Sequence, residues 1–96
     1  MNSTSDRDPP QAWLARAVQA GWSVHGDVLT KAFAFPDFDH TMAFVNAVAG
    51  IARAENHHPD MLIQDRRCEL RWTSHDCGAL TARDGRCAAL VDRLLP

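Results

Sequence analysis

The chain has 96 residues, of which 46% are hydrophobic and 23% are charged, and its formal net charge at neutral pH is -2. That composition is typical of one soluble globular domain with a modest core. The small negative charge argues against a nucleic-acid-binding module, which would normally carry a basic face. Apolar runs such as residues 47–49 are far too short to span a bilayer, so we expect no membrane partner.

The N-terminus and the cysteines favour a cytoplasmic protein. Residues 1–7 are polar and are expected to form a flexible tail, followed by one domain over residues 8–96. The tail lacks the basic start and apolar core of a signal peptide. The three cysteines, Cys68, Cys77 and Cys87, are odd in number and unpatterned, which suits reduced thiols.

The first part of the chain predicts a helix and a hairpin. Asp8 can cap a helix that carries prolines in its first turn, and Gly21 is a natural C-terminal stop. Residues 22–35 change to the period of two that is typical of strands, with turn residues at 25–27. Pro36 closes this hairpin.

The strongest helical pattern runs over residues 38–54, and Asp37 is expected to cap it. The apolar stripe of this helix is predicted to comprise Phe38, Met42, Val45, Val48, Ala49 and Ala52, with Phe44 and Ile51 flanking it. Pro59 must end the helix, because proline disfavours a helical conformation in the residue before it. The adjacent histidines His57 and His58 are therefore placed at the helix exit.

A second hairpin and a final helix follow. Met61 and Ile63 alternate with Leu62, which indicates a strand that ends at a polar turn over residues 65–66. Residues 68–72 alternate between apolar and polar side chains, which predicts a half-buried strand. Residues 81–84 have the form of a capping box, with aspartate in place of the usual glutamate or glutamine. Gly85 weakens the first turn of the last helix by roughly 1 kcal/mol relative to alanine. The apolar side of this helix is predicted to comprise Ala88, Val91, Leu94 and Leu95.

The predicted order is helix, strand, strand, helix, strand, strand, helix. Two hairpins with helices that need an apolar surface indicate an α+β fold, in which three helices pack on one face of a four-stranded antiparallel sheet. In that layout the exit of the long helix and the exit of the strand at 68–72 can lie at the same end of the sheet. His57, His58 and His75 would then surround one pocket.

Three interpretations of these histidines remain open. Imidazoles can act as general acid and base on a bound organic substrate, helped by Asp60, Asp76 or Asp84. The three histidines with Cys77 could instead bind a metal, although their spacing fits no common zinc motif. They could also be surface or capping residues, which is the commonest situation for histidine in a soluble domain.

Three segments carry a resemblance to a known family. Residues 55–60 read Glu-Asn-His-His-Pro-Asp, residues 73–78 read Thr-Ser-His-Asp-Cys-Gly, and residues 80–84 read Leu-Thr-Ala-Arg-Asp. They closely resemble the pterin-4a-carbinolamine dehydratase family, with its (N/D)-H-H-P-(E/D) motif, a T-H sixteen residues beyond the proline and a G-L-(S/T)-x-x-D segment. Its G-W, F-x-F and D-F positions match residues 21–22, 33–35 and 37–38.

The resemblance covers nearly everything after the tail and implies the same α+β fold. It also implies a reaction, the loss of water from 4a-hydroxytetrahydrobiopterin to give quinonoid dihydropterin, without a cofactor, in tetrahydrobiopterin recycling. By position, His57 and His75 look like the acid–base pair and His58 like a pterin-binding partner, with the division of roles among the three left open. The residues that would orient them or bind the pterin are Asn56, Asp60, Asp76, Arg83 and Asp84.

Two positions depart from the family pattern. Arg53 stands where family members often carry glutamate, and Met61 stands where an aromatic or branched aliphatic residue is common. These departures favour an alternative, a non-catalytic assembly or co-regulatory module on the same fold, whereas the complete histidine set favours the enzyme. The resemblance and the open sheet edges suggest a homodimer or homotetramer. A pterin-dependent aromatic amino-acid hydroxylase is a further candidate partner.

Overall fold

The computed structural model describes residues 11–74 and 78–95. The predictions for the N-terminal tail, for the Asp8 cap and for residues 75–77 fall outside those ranges. The elements of the described residues follow the predicted order: helix α1 (Gln11–Gln19), strands β1 (Ser23–His25) and β2 (Val28–Ala34), helix α2 (Phe38–Glu55), strands β3 (Asp60–Gln64) and β4 (Arg67–Trp72), and helix α3 (Ala82–Asp92).

The four strands form one antiparallel sheet in the order β1-β2-β4-β3. Strands β2 and β4 lie in the middle, where Leu29 pairs with Trp72. Strand β3 lies at one edge and pairs with β4, so that Met61 is opposite Leu70. The predicted α+β fold, with three helices and a four-stranded antiparallel sheet, is confirmed for the described part of the chain.

One face of the sheet carries the core. Leu29 and Phe33 of β2, and Cys68, Leu70 and Trp72 of β4, are buried there, because alternate residues of a strand point to the same face. The buried helical residues that complete the core are Ala17, Phe44, Val45, Val48, Cys87, Ala88 and Val91. The end of this face near Trp72 is where α2 ends and α3 begins.

Lys31 interrupts the apolar side of β2, and the structure explains how the strand tolerates it. Its Nζ atom donates to Asp92 Oδ1 at 2.8 Å and to the carbonyl oxygen of Ala20 at 2.6 Å. Trp22 Nε1 donates to the other oxygen of Asp92 at 2.9 Å. The amine also lies 5.0 Å from the centroid of the Phe33 ring. The charge is therefore satisfied while the aliphatic stem packs against the core.

Three residues of the predicted helical stripes are exposed, so those parts of the prediction are wrong. Phe38 opens α2 and is 49% exposed, while Leu94 and Leu95 lie beyond the end of α3. A residue at a helix terminus has packed neighbours on one side only, so the helical period overestimates its burial. Phe44, which was expected to flank the stripe, is buried with its ring 4.7 Å from that of Phe33.

Gly85 allows α1 and α3 to approach each other closely. A Cβ atom built on this glycine would lie 2.5 Å from Trp13 Cε3 and 3.0 Å from Trp13 Cδ2. Real Cβ atoms do not tolerate such a distance, so the tryptophan ring would have to move. Gly85 lowers the helix propensity of α3, but the close packing of Trp13 from α1 requires a residue without a side chain at this position.

We expect Gly85→Ala to lower the free energy of unfolding by about 1–3 kcal/mol through overpacking, despite a gain of about 1 kcal/mol in helix propensity. Gly50→Ala in α2 is the matched control, because a Cβ there meets no described heavy atom within 4 Å. It should stabilise the protein by about 0.5–1 kcal/mol. Urea denaturation measures both, and a Gly85→Ala protein as stable as wild type would contradict the packing argument.

Candidate active site

The end of α2 sets the different environments of the two adjacent histidines. Asn56 adopts the left-handed conformation, with φ 52° and ψ 44°, and its backbone N–H bonds to the carbonyl oxygens of Ala52 and Arg53. The His57 N–H also bonds to the Ala52 oxygen, at 3.1 Å. This C-cap turns the chain so that His57 is buried, with 8% exposure, whereas His58 is exposed.

The buried imidazole of His57 is held on two sides. Its Nε2 atom lies 2.6 Å from Oδ1 of Asp84, a residue 27 positions further along the chain. Its ring stacks on the Trp72 indole, with centroids 5.4 Å apart and planes inclined by 28°. The hydrogen bond to Asp84 fixes the direction in which Nε2 points, and stacking on Trp72 fixes the plane of the imidazole ring.

The hydrogen-bond network assigns the proton of the neutral His57 ring. An ionised carboxylate can only accept hydrogen bonds, so Nε2 must carry the proton that it shares with Asp84. The Nδ1 atom makes no hydrogen bond to the described residues. It is therefore the nitrogen that is left to take a proton from a ligand, or to return one.

Asp84 is fully buried and its carboxylate bonds to three chain segments. Oδ1 faces His57, while Oδ2 accepts from the backbone N–H of Thr81 at 2.9 Å and from the Ser74 hydroxyl at 2.7 Å. The predicted capping box at the start of α3 is present, with Asp84 at its third helical position. A buried carboxylate is costly unless it is paired and hydrogen-bonded, and here both conditions are met.

The other predicted site residues do not contact this pair through a side chain in the described structure, except as chain neighbours, or they lie outside the described ranges. Asn56 is exposed at the C-cap of α2, Asp60 is exposed at the start of β3, and Arg83 is half-buried beside Asp84. His75 and Asp76 lie in the segment that the structure does not describe. Of the predicted set, the described structure places His57 and Asp84 in direct contact.

Three residues that contact this pair, Trp72, Ser74 and Thr81, were not among the predicted site residues. Thr81 was predicted only as the first residue of the capping box. Trp72 was predicted as a core position of a half-buried strand, and it is both core and the stacking partner of His57. Ser74 bonds to Asp84, and its only sequence signal was its place beside His75. A hydroxyl gives no indication in the sequence of which distant carboxylate it will reach.

Charged side chains also join the end of α2 to α3. Arg86 Nε lies 3.0 Å from Glu55 Oε1. Arg53, one of the two departures from the family pattern, is exposed in the last turn of α2 and takes no part in this ion pair. The ion pair therefore helps to hold together the two helix ends that carry His57 and Asp84.

The two buried cysteines of the described residues are poor nucleophiles. Burial, helped by the nearby carboxylates of Glu55 and Asp84, raises the pKa of the Cys87 thiol to about 11. Burial likewise raises the pKa of Cys68. Both thiols are therefore protonated near neutral pH, and only a thiolate attacks efficiently.

The metal interpretation gains nothing from the described residues. In residues 11–74 and 78–95, no group of three histidine, cysteine, aspartate or glutamate side chains could hold a metal ion. His75 and Cys77, which that interpretation requires, lie outside those ranges.

None of the described helices combines the length and the hydropathy needed to cross a membrane.

The structure defines a small α+β domain in which a buried, hydrogen-bonded pair, His57 and Asp84, lies at one end of the sheet. The model of the family described as Pterin 4 alpha carbinolamine dehydratase matches residues 6–94 of the chain. The chain therefore belongs to the pterin-4a-carbinolamine dehydratase family, as its motifs indicated.

Curated relatives agree with that membership. A Xanthomonas oryzae pv. oryzae (strain PXO99A) protein is 46% identical over 94 residues, which cover 94% of this chain and 80% of the relative. A Nitrosomonas eutropha protein is 40% identical over 82 residues, covering 85% and 73% respectively. Both are named pterin-4-alpha-carbinolamine dehydratases on a provisional basis.

Two solved structures share the fold. The transcriptional coactivator/pterin dehydratase from Brucella melitensis superposes with a TM-score of 0.79 at 23% identity, covering 86% of this chain and 93% of that one. A pterin dehydratase-like protein identified as a RuBisCO assembly factor in the alpha-carboxysome gives a TM-score of 0.64 at 23% identity, covering 76% and 84%.

The buried thiols predict a loss of stability at alkaline pH. Unfolded cysteine ionises near its ordinary pKa of 9.0, whereas folded Cys87 stays protonated up to about 11. The unfolded state therefore loses protons first, and the free energy of unfolding should fall as pH rises from 9 towards 11. Urea denaturation across this range should show a shallower fall for Cys87→Ala than for wild type. Parallel pH curves for the two proteins would contradict the prediction.

Proposed function

We propose that this protein is a hydro-lyase that dehydrates 4a-hydroxytetrahydrobiopterin to quinonoid dihydropterin in tetrahydrobiopterin recycling. The observation that carries the proposal is the buried His57–Asp84 pair in a chain of the dehydratase family. Catalysis is by histidine general acid and base, with no cofactor.

The reaction needs two proton transfers. The bond between C4a and the hydroxyl oxygen breaks, and an acid protonates the departing hydroxyl so that it leaves as water. A base removes the proton from the neighbouring ring nitrogen, and a carbon–nitrogen double bond forms. One proton is given and one is taken, so the protein returns to its starting charge. Positioned groups of this kind typically contribute a factor of about 10²–10⁴ in rate.

His57 supplies one of these transfers through Nδ1. Asp84 keeps the opposite nitrogen protonated and stabilises the imidazolium that forms when Nδ1 takes a proton, as the aspartate does in a Ser-His-Asp triad. The Trp72 indole keeps the ring from turning away. Burial excludes most of the water that would compete for the proton.

The remaining roles follow the family positions. His75 is the second acid–base group, and the exposed His58 binds the pterin. Asn56, Asp60, Asp76 and Arg83 bind polar edges of the pterin or orient the histidines. The working form is a cytoplasmic homodimer or homotetramer, and a pterin-dependent aromatic amino-acid hydroxylase would supply the substrate.

A non-catalytic module on the same fold is the second candidate. One of the fold neighbours is described as a RuBisCO assembly factor, and Arg53 departs from the family pattern in this chain. Such a module would bind a protein partner through its surface and would have no need of the buried pair.

The activity is tested by following, by absorbance, the dehydration of enzymically generated 4a-hydroxytetrahydrobiopterin. Wild type should turn over well above a His57→Ala, His75→Ala double variant, because that variant lacks both proton-transfer groups. Equal turnover, together with a stoichiometric protein partner that both proteins retain, would replace the enzyme by the second candidate.

Asp84→Asn tests the role of the carboxylate. The asparagine amide can donate to Nε2, which moves the ring proton to Nδ1 and removes the base. We expect kcat to fall by a factor of about 10²–10⁴, in line with the effect of the same exchange in a Ser-His-Asp triad. Asp65→Asn, an exposed aspartate in the β3–β4 turn, is the matched control and should leave kcat unchanged. A folded Asp84→Asn protein with the kcat of wild type would remove Asp84 from the mechanism.

A further inference from the structure

Ser74 is a buried hydroxyl that reaches the catalytic pair from a separate segment of the chain. It lies just beyond β4 and is 1% exposed. Its Oγ atom donates to Asp84 Oδ2 at 2.7 Å and lies 2.9 Å from the hydroxyl of Thr81.

The neighbouring residue shows that burial of a hydroxyl here does not by itself produce such a contact. Thr73 is 8% exposed, and its Oγ1 atom is buried without a hydrogen-bond partner in the described structure. Ser74, one residue further on, is bonded to a buried carboxylate. The contact with Asp84 is therefore specific to position 74.

The contact constrains the rotation of the carboxylate. Asp84 Oδ2 accepts from the Ser74 hydroxyl on one segment, and from the backbone N–H and the more distant hydroxyl of Thr81 on another. Together they hold Oδ2 in place, so the other oxygen faces His57 Nε2. Without the Ser74 hydroxyl, Oδ2 would keep donors from Thr81 only, and the carboxylate could turn so that Oδ1 is no longer in line with the Nε2–H of His57.

We propose that Ser74 is a positioning residue for the dehydration, acting through Asp84 on the tautomer of His57. Its hydroxyl keeps the ring proton on Nε2 and leaves Nδ1 free to exchange a proton with the pterin. Ser74 does not touch the substrate. The catalytic part of this inference rests on the proposed function, whereas the effect on the tautomer does not.

The test joins a spectroscopic readout to kinetics. In protein labelled with ¹⁵N, long-range ¹H–¹⁵N correlation of the histidine rings distinguishes an Nε2–H from an Nδ1–H tautomer. Wild-type His57 should be the Nε2–H form, and Ser74→Ala should show a mixture of the two. The kcat of Ser74→Ala should fall by about 10–100-fold, the size typical of losing a group that orients an active-site ligand. Its KM should stay at the wild-type value.

Three further variants separate positioning from folding. Ser74→Thr keeps the hydroxyl and should restore both the tautomer and kcat. Thr73→Val removes the adjacent unpartnered hydroxyl and should behave as wild type. Ser74→Cys keeps the volume with a much weaker donor, so it should give a partial shift of the tautomer even if Ser74→Ala does not fold.

The outcomes are distinguishable from failure of the proposed function. An inactive wild-type protein would end the dehydratase proposal, and the tautomer of His57 in the Ser74 variants would still decide the positioning role. An Nε2–H ring in folded Ser74→Ala, or in Ser74→Cys where the alanine variant does not fold, overturns the inference. A shift of equal size in Thr73→Val would also overturn it.

Discussion

The buried carboxylate of Asp84 is the contact on which the arrangement of this site depends. It caps the start of α3 as part of the capping box, it is hydrogen-bonded to the His57 ring, and it accepts a hydrogen bond from Ser74. Burying a charge is unfavourable unless the protein supplies partners, and removing one partner of a buried pair leaves the other unsatisfied. The start of a helix and the orientation of a candidate catalytic base are therefore coupled through one side chain.

The surrounding packing keeps the members of this network at their distances. The Trp72 indole, at the end of a central strand, provides the surface on which His57 stacks. Gly85 lets α1 pack closely on α3, and the Glu55–Arg86 ion pair joins α2 to α3. The His57–Asp84 pair is thus held by packed helices and by a central strand of the sheet.

The contrast between the two adjacent histidines bears on function. The left-handed C-cap at Asn56 sends His57 into the core and leaves His58 exposed. One imidazole is therefore held in a single orientation, while the other is accessible from outside. A surface-binding module would not need His57 to transfer protons, so substitution of the pair is the experiment that separates the two candidate functions on this shared fold.

The order of the elements, the Asp37 cap and the capping box before α3 could be predicted from the sequence and are present in the structure. Local periodicity and capping chemistry act over a few residues, so they can be recognised without the tertiary fold. The sequence also determined the family, through its histidine motif and the spacing to the later segments. Tertiary structure alone decided that His57 meets Asp84, that Ser74 bonds to the same carboxylate, and that Phe38, Leu94 and Leu95 are exposed. Residues that are far apart in the chain come into contact only when the sheet and the helices pack together. A local sequence pattern therefore does not indicate which distant residues will be in contact.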